Sequence, residues 1–117
     1  MLPKNYYLTI VGSGIRRGYL ENLIKKNSLE KRIKIKTNIS EVEKDNLFKK
    51  SDIFLQSSNS RAESFGISIL EAISNSMPLI ISNVYGSGMN EMIEDGYNGF
   101  KFKKNDPNDC AKKILLL

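Results

Sequence analysis

Tyr6-Tyr7-Leu8-Thr9-Ile10-Val11-Gly12-Ser13-Gly14 is the stretch that decides the fold class. Its first six residues are β-branched, aromatic or aliphatic and read as a strand, which Gly12 and Gly14 stop in a tight turn. Just beyond, Tyr19, Leu20, Leu23 and Ile24 recur at the spacing of one helical face. Strand, glycine turn and helix form half of a βαβ unit. The other half follows at Arg32–Thr37, where Ile33 and Ile35 alternate with Lys34 and Lys36. One dry face and one lysine face suit an edge strand, because lysine deters stray pairing along an open edge.

The alternation continues to the end of the chain. Ser40-Glu41-Val42-Glu43 has the spacing of a capping box and opens a helix through Leu47 and Phe48. Asp52–Gln56 reads as a buried strand around Ile53-Phe54-Leu55, ending in Ser57-Ser58-Asn59-Ser60. Ile67, Leu70, Ala72 and Ile73 mark a helix that stops before Pro78, and Leu79-Ile80-Ile81 is the next strand. Met89–Ile93 reads as one short helix. A hairpin-like stretch containing Gly96, Gly99 and Phe100-Lys101-Phe102 follows, before a last helix with Pro107 in its first turn. Strands alternating with helices predict an α/β fold, Rossmann-like and doubly wound, with a mostly parallel five-stranded sheet.

Composition bounds the chemistry. A chain of 117 residues has the length of one domain, and 40% apolar with 26% charged residues is ordinary globular composition. A single cysteine, Cys110, excludes an internal disulfide. The absence of histidine removes the usual zinc and non-haem iron sites and every Ser-His or Cys-His nucleophile pair. The net charge of +5 comes from short lysine clusters interleaved with acids, which read as solvated helix faces and an edge strand. No nucleic-acid-binding pattern accompanies them. No apolar run approaches the roughly 18 residues that cross a bilayer. Met1-Leu2-Pro3-Lys4-Asn5 lacks a signal-peptide core, so the expected location is cytoplasmic.

Two segments can carry function. Gly12-Ser13-Gly14-Ile15-Arg16-Arg17-Gly18 places Gly12 and Gly14 where main-chain amides can approach a phosphate. Its G-x-G-x-x-x-G spacing is one residue too long for the dinucleotide fingerprint, and Thr37-Asn38 stands where a ribose-binding acid would end the second strand. NAD binding is therefore not expected, and glycines fitting a tight turn under the sheet account for the motif. The second segment, Glu63-Ser64-Phe65-Gly66-Ile67-Ser68-Ile69-Leu70-Glu71, sets two carboxylates eight residues apart around the start of a helix. Gly66 permits close backbone approach, and Ile67 and Ser68 offer first-turn amides at the carboxyl end of a strand, where open α/β sheets bind anionic ligands. Glu71 can accept from a ribose and Glu63 from a sugar. The bland alternative makes Glu63 a complement to the helix dipole and Glu71 an ordinary surface residue.

With these segments in place, the chain resembles the C-terminal half of a retaining GT-B glycosyltransferase of family 4, the glycosyl transferases group 1 proteins. Their E-x7-E signature matches Glu63 through Glu71. Ile10–Gly14, Leu47-Phe48, Ser51–Ser58, Met77–Ser82, Glu91–Phe100 and Asp106-Pro107 match flanking family segments in order, over about Tyr6–Leu115. The resemblance implies that Glu63 contacts donor-sugar hydroxyls and is the catalytic residue. It implies that Phe65, Gly66, Ile67 and Ser68 offer main-chain groups to sugar and diphosphate, and that Glu71 holds the ribose. Asn38-Ile39 would lie against the nucleobase, with Gly12 and Gly14 as a phosphate turn. The implied reaction moves a sugar from a nucleotide-diphosphate-sugar to an acceptor hydroxyl with retention, needing no cofactor or bound metal. The implied setting is surface polysaccharide or glycolipid synthesis, at the inner face of a membrane.

The resemblance also implies that residues 1–117 are one donor-binding domain of a two-domain enzyme. The acceptor, a sugar or lipid-linked glycan, would bind an N-terminal domain that the chain lacks, and the fragment alone would be inactive. The family's first strand, which carries an Arg and a Lys and lies at the centre of the sheet, has no counterpart before Tyr6. The five strands are then expected either in the order 2-1-3-4-5 or with a gap. The competing reading from the residues alone is a non-catalytic α/β module that binds nucleotide or docks a protein through its sheet edge.

Overall fold

The computed structural model describes residues 2–12, 14, 16–57, 67–84 and 88–117. They form an α/β fold in which every strand pairing is parallel. Five strands alternate with four helices and one short 3-10 helix. The chain divides into two compact units, residues 2–44 and 45–117. The strands lie in two sheets, one of two strands and one of three, rather than in a single five-stranded sheet. The order 2-1-3-4-5 is not formed, since β1 and β3 are not paired.

In the first unit β1 (Leu8–Val11) pairs with β2 (Ile33–Lys36), Leu8 opposite Ile33 and Ile10 opposite Ile35. Side chains alternate along a strand, so those four share one face while Thr9, Val11, Lys34 and Lys36 share the other. All four residues of that second face are exposed. Between the strands runs α1 (Arg17–Lys26), with Leu20 and Ile24 half-buried and Tyr19 and Leu23 exposed. Lys25 and Lys26 lie in its last turn, where they complement the helix dipole. The helix ends at Asn27, whose side-chain amide donates to the Leu23 carbonyl at 2.8 Å, and Ser28 turns the chain with φ +54°. Arg32 then donates to the carbonyls of Pro3 and Tyr6, at 2.7 and 3.1 Å, tying the start of β2 to the chain entering β1. No described residue in 2–44 is buried.

Helix α2 (Glu41–Lys50) opens as its sequence predicts: the Glu43 N–H donates to Ser40 Oγ at 3.1 Å. Its later residues belong to the second unit, where Phe48 stacks on Phe54 with ring centroids 6.2 Å apart.

The second unit is built on β4 (Leu79–Asn83), the central strand of the order β3-β4-β5 with β3 at Phe54–Gln56 and β5 at Gly99–Lys103. Leu79, Ile80 and Ile81 are wholly buried. Leu79 and Ile81 face a cluster of Ile69, Ala72, Met77 and Ile93, flanked by Phe48, Phe54 and Met92. Ile80 and Ser82 point to the opposite face, and α4 (Pro107–Leu115) packs across β4 and β5, burying Ile114. Helix α3 (Ile67–Ser74) supplies Ile69 and Ala72. The periodicity had placed Leu70 and Ile73 on the dry side, but both are 41% exposed. The true face lies one residue earlier, because the short run Ile67–Ile73 is apolar nearly all round and its period is ambiguous.

The stretch expected to resemble a hairpin is instead a parallel crossover: β5 pairs with β4 from Leu79–Gly99 to Asn83–Lys103. Gly99 lies so close to β4 that an added Cβ would fall on the main chain of Leu79. That contact, rather than turn flexibility, demands a glycine there. Strand β3 is half-buried along its length and not fully dry, having only one described neighbour.

Candidate functional site

In each unit the polar turns gather at the carboxyl ends of parallel strands, where loops of this class leave the sheet. In residues 2–44, β1 runs out at Gly12, whose N–H donates to the Lys36 carbonyl at 3.0 Å. Gly12 has φ +152° and no atom within 4 Å of where a Cβ would stand, and Gly14 has the same open surroundings. Both glycines are exposed. The Gly14 carbonyl accepts from the Arg17 N–H at 3.2 Å as the chain enters α1.

Beside this turn β2 runs out at Thr37, Asn38 and Ile39. Asn38 takes φ +52°, a left-handed conformation that few residues other than glycine adopt readily. Arg17 reaches this exit from α1: its Nη1 donates to Thr37 Oγ1 at 2.9 Å while its Nε donates to Glu21 Oε1 at 2.7 Å. The sequence had marked Gly12, Gly14, Asn38 and Ile39, and the structure brings these two turns together through Arg17. Arg17 itself went unmarked. A cation at the first position of a helix, the wrong end of the dipole, was the signal that pointed to it.

In residues 45–117, Glu63, Phe65 and Gly66 lie outside the described residues. The helix that follows them begins at Ile67, eleven residues beyond the last residue of β3. Ser68 stands exposed in its first turn and Glu71 is half-buried one turn later. At positions i and i+3 the two side chains share a helix face, distinct from that of Ile69 and Ala72. The helix ends on Asn75, which donates twice to the Glu71 carbonyl, and on Ser76 with φ +57°.

The segment Glu91–Phe100 serves the fold. Asn98 accepts from the Glu94 N–H and donates to the Met92 carbonyl, while Asp95 accepts from the Lys101 N–H at 2.9 Å. Gly96, with φ +83°, donates to the Gly99 carbonyl. Together they aim β5 at β4. A clip that the sequence did not disclose sits at the exit of β4, where Asn90 donates to Asn83 Oδ1 at 2.7 Å and to the Val84 carbonyl at 2.9 Å.

Electrostatically the two units differ. Residues 2–44 hold ten basic and four acidic side chains, a net +6, against eight and nine in 45–117. Cys110, half-buried on α4, is held above the ordinary thiol pKa by burial and then by the neighbouring Asp109 carboxylate. Among the described residues no group of three or more acids and cysteines is placed to hold a metal ion. None of the described helices is long and apolar enough to cross a membrane.

A parallel α/β fold of this kind matches the C-terminal domains of GT-B glycosyltransferases. The family model "Glycosyl transferases group 1" covers residues 2–117, and the chain belongs to that family. An uncharacterized glycosyltransferase of Methanocaldococcus jannaschii is 34% identical over 113 residues, 97% of this chain and 31% of that protein. Alpha-monoglucosyldiacylglycerol synthase of Acholeplasma laidlawii is 29% identical over 102 residues, 87% of this chain and 25% of that enzyme. Among solved structures, HepE of Anabaena in complex with UDP-glucose superposes with a TM-score of 0.84 at 24% identity, over 97% of this chain and 31% of that one. The chain thus spans about a third or less of the length of these relatives. Sugar transfer is the general activity of the family.

Proposed function

We propose that this chain is the donor-binding domain of a retaining hexosyltransferase, one part of a two-domain enzyme. The substrate is a nucleotide-diphosphate-sugar, and the acceptor is a sugar or lipid-linked glycan held by a separate N-terminal domain. Glu63 contacts the donor sugar and acts in catalysis. Phe65, Gly66, Ile67 and Ser68 present main-chain groups to sugar and diphosphate, and Glu71 holds the ribose. Gly12 and Gly14 form a phosphate turn, and Asn38-Ile39 receives the base. Fixed main-chain dipoles at a helix start stabilise the charge that develops on a departing diphosphate, so the chemistry needs no metal. Without the acceptor half, the 117 residues bind donor without turning it over. The product is a surface glycan or glycolipid made in the cytoplasm beside a membrane, which the glycolipid synthase among the relatives supports.

The observation that carries this reading is the helix start after β3: an E-x7-E pair brackets it in a chain of this family, with Ser68 and Glu71 on one face. Titration calorimetry with UDP-glucose and GDP-mannose tests it. The chain binds one of them in the micromolar to millimolar range, and Glu71→Ala weakens that binding. Heat-silent titrations with both donors contradict it.

A second reading is favoured by the open edge of β1. The partner strand β2 carries Lys34 and Lys36, whereas Leu8-Thr9-Ile10-Val11 bears no charge along an edge with no described partner. In that reading the unit docks another polypeptide. Light scattering then shows complexes indifferent to nucleotide and to Glu63.

A further inference from the structure

The helix dipole does not account for Arg17. It occupies the first position of α1, facing the positive end of the dipole, and the helix has no acidic residue in its first turn and no side-chain cap from Arg16. What Arg17 does instead is join two turns. Its main-chain N–H holds the Gly14 carbonyl at 3.2 Å, and its guanidinium holds Thr37 Oγ1 at 2.9 Å. Glu21, one helical turn on, takes Nε at 2.7 Å and so fixes the plane of the fork that delivers Nη1 to Thr37. Thr37 immediately precedes Asn38, whose φ of +52° sets the direction of the chain into Ile39. Asparagine is among the few non-glycine residues that tolerate this conformation, and the Arg17–Thr37 bond is a side-chain anchor at the entrance to the turn it makes.

We infer that Arg17 is a positioning residue for nucleobase recognition: by anchoring Thr37 it holds the Thr37-Asn38-Ile39 turn in the shape that receives the base of a nucleoside diphosphate. This rests on the donor-binding reading above. The role divides cleanly between the atoms of Arg17. The main-chain bond to Gly14 is kept in Arg17→Ala, so the glycine turn and its approach to phosphate are unchanged. Only the base end of the ligand feels the loss of the guanidinium.

The test is a titration series with UDP, GDP, ADP and inorganic pyrophosphate on the 117-residue chain and its Arg17→Ala, Thr37→Val and double variants, with Thr37→Ser and Lys25→Ala alongside. Circular dichroism checks that each variant folds. The tightest-binding nucleotide weakens about three- to tenfold in Arg17→Ala, the range of an ordinary net hydrogen bond acting through the turn. It weakens equally in Thr37→Val and no further in the double variant, because both break one bond. Thr37→Ser keeps the hydroxyl and restores binding, Lys25→Ala matches the wild type, and pyrophosphate affinity stays constant throughout. Discrimination among the three bases narrows in Arg17→Ala. Equal losses for pyrophosphate and nucleotide, additive losses in the double variant, or an unaffected Thr37→Val overturn the positioning role. If the wild type binds a nucleotide and the variants match it, only that role fails. If the wild type binds none of the three, the donor-binding reading fails and this inference goes with it.

Discussion

Strands β1 and β4 are the same kind of object in different surroundings. Each is short, apolar and paired in parallel. Leu79, Ile80 and Ile81 of β4 are wholly buried, while Leu8 and Val11 of β1 are 37% and 48% exposed. The difference is not composition, since Leu-Thr-Ile-Val and Leu-Ile-Ile-Ser-Asn are both good strand sequences. It is neighbours: β4 has a strand on either side, with α3 and α4 packed against it, and β1 has one strand. Parallel strands are ordinarily covered on both faces. Residues 45–117 therefore hold the buried core, and residues 2–44 hold most of the basic side chains with no buried residue among those described.

Truncating matched core positions breaks or sharpens that contrast most strongly. Ile81→Ala removes packing from a fully buried site and costs about 2–5 kcal/mol, whereas Ile10→Ala, half-buried, costs about 1 kcal/mol. Chemical denaturation of both variants measures the gap, and equal losses would erase the distinction. Hydrogen exchange reads the same contrast without mutation: β4 amides exchange only by global opening, and β1 amides exchange through smaller openings. Next in size, Gly99→Ala drives a Cβ onto the Leu79 main chain and forces β5 off β4, at a cost of about 3 kcal/mol by the general range for backbone strain. The same change at Gly14, where nothing lies within 4 Å, leaves stability nearly untouched.

Smaller still is the α4 cap. Asp106 accepts from the Asp109 N–H at 3.0 Å with Pro107 at the first helical position, so Asp106→Ala costs about 1 kcal/mol in thermal or urea melts. The smallest effect is the titration of Cys110. Its thiol is held above the ordinary value of 9.0, so the unfolded chain loses that proton first as pH rises. Stability contributed by the neutral thiol is intact below pH 9.0 and declines above it, and Cys110→Ser flattens that decline. Alkylation at pH 8 is correspondingly slower in the folded chain than in urea.

How much of this was legible in the sequence varied with the physics of each element. Glycine turns, the Ser40 cap, Pro107 and the lysine-guarded edge strand are local signals, and each marks an element the structure contains. The sheet arrangement was not legible, because which strands become neighbours depends on contacts distant in sequence. The parallel β5 resembled a hairpin because Gly96 and Gly99 are turn residues. Only the packing against Leu79 reveals that Gly99 serves close approach instead. At the candidate site, the glycine turn at Gly12 was readable from residue type and Asn38-Ile39 was marked by the family resemblance, while the Arg17–Thr37 bond joins positions 20 apart and needs the fold to bring them together.

The most direct test of the donor-binding account is a titration of the isotope-labelled chain with UDP-glucose, followed by amide chemical shifts. The account predicts saturable shifts at Gly12, Gly14, Asn38, Ile39, Gly66, Ile67 and Ser68, with β5 and α4 silent. Shifts confined to β5 and α4, or none at all up to millimolar ligand, would contradict it.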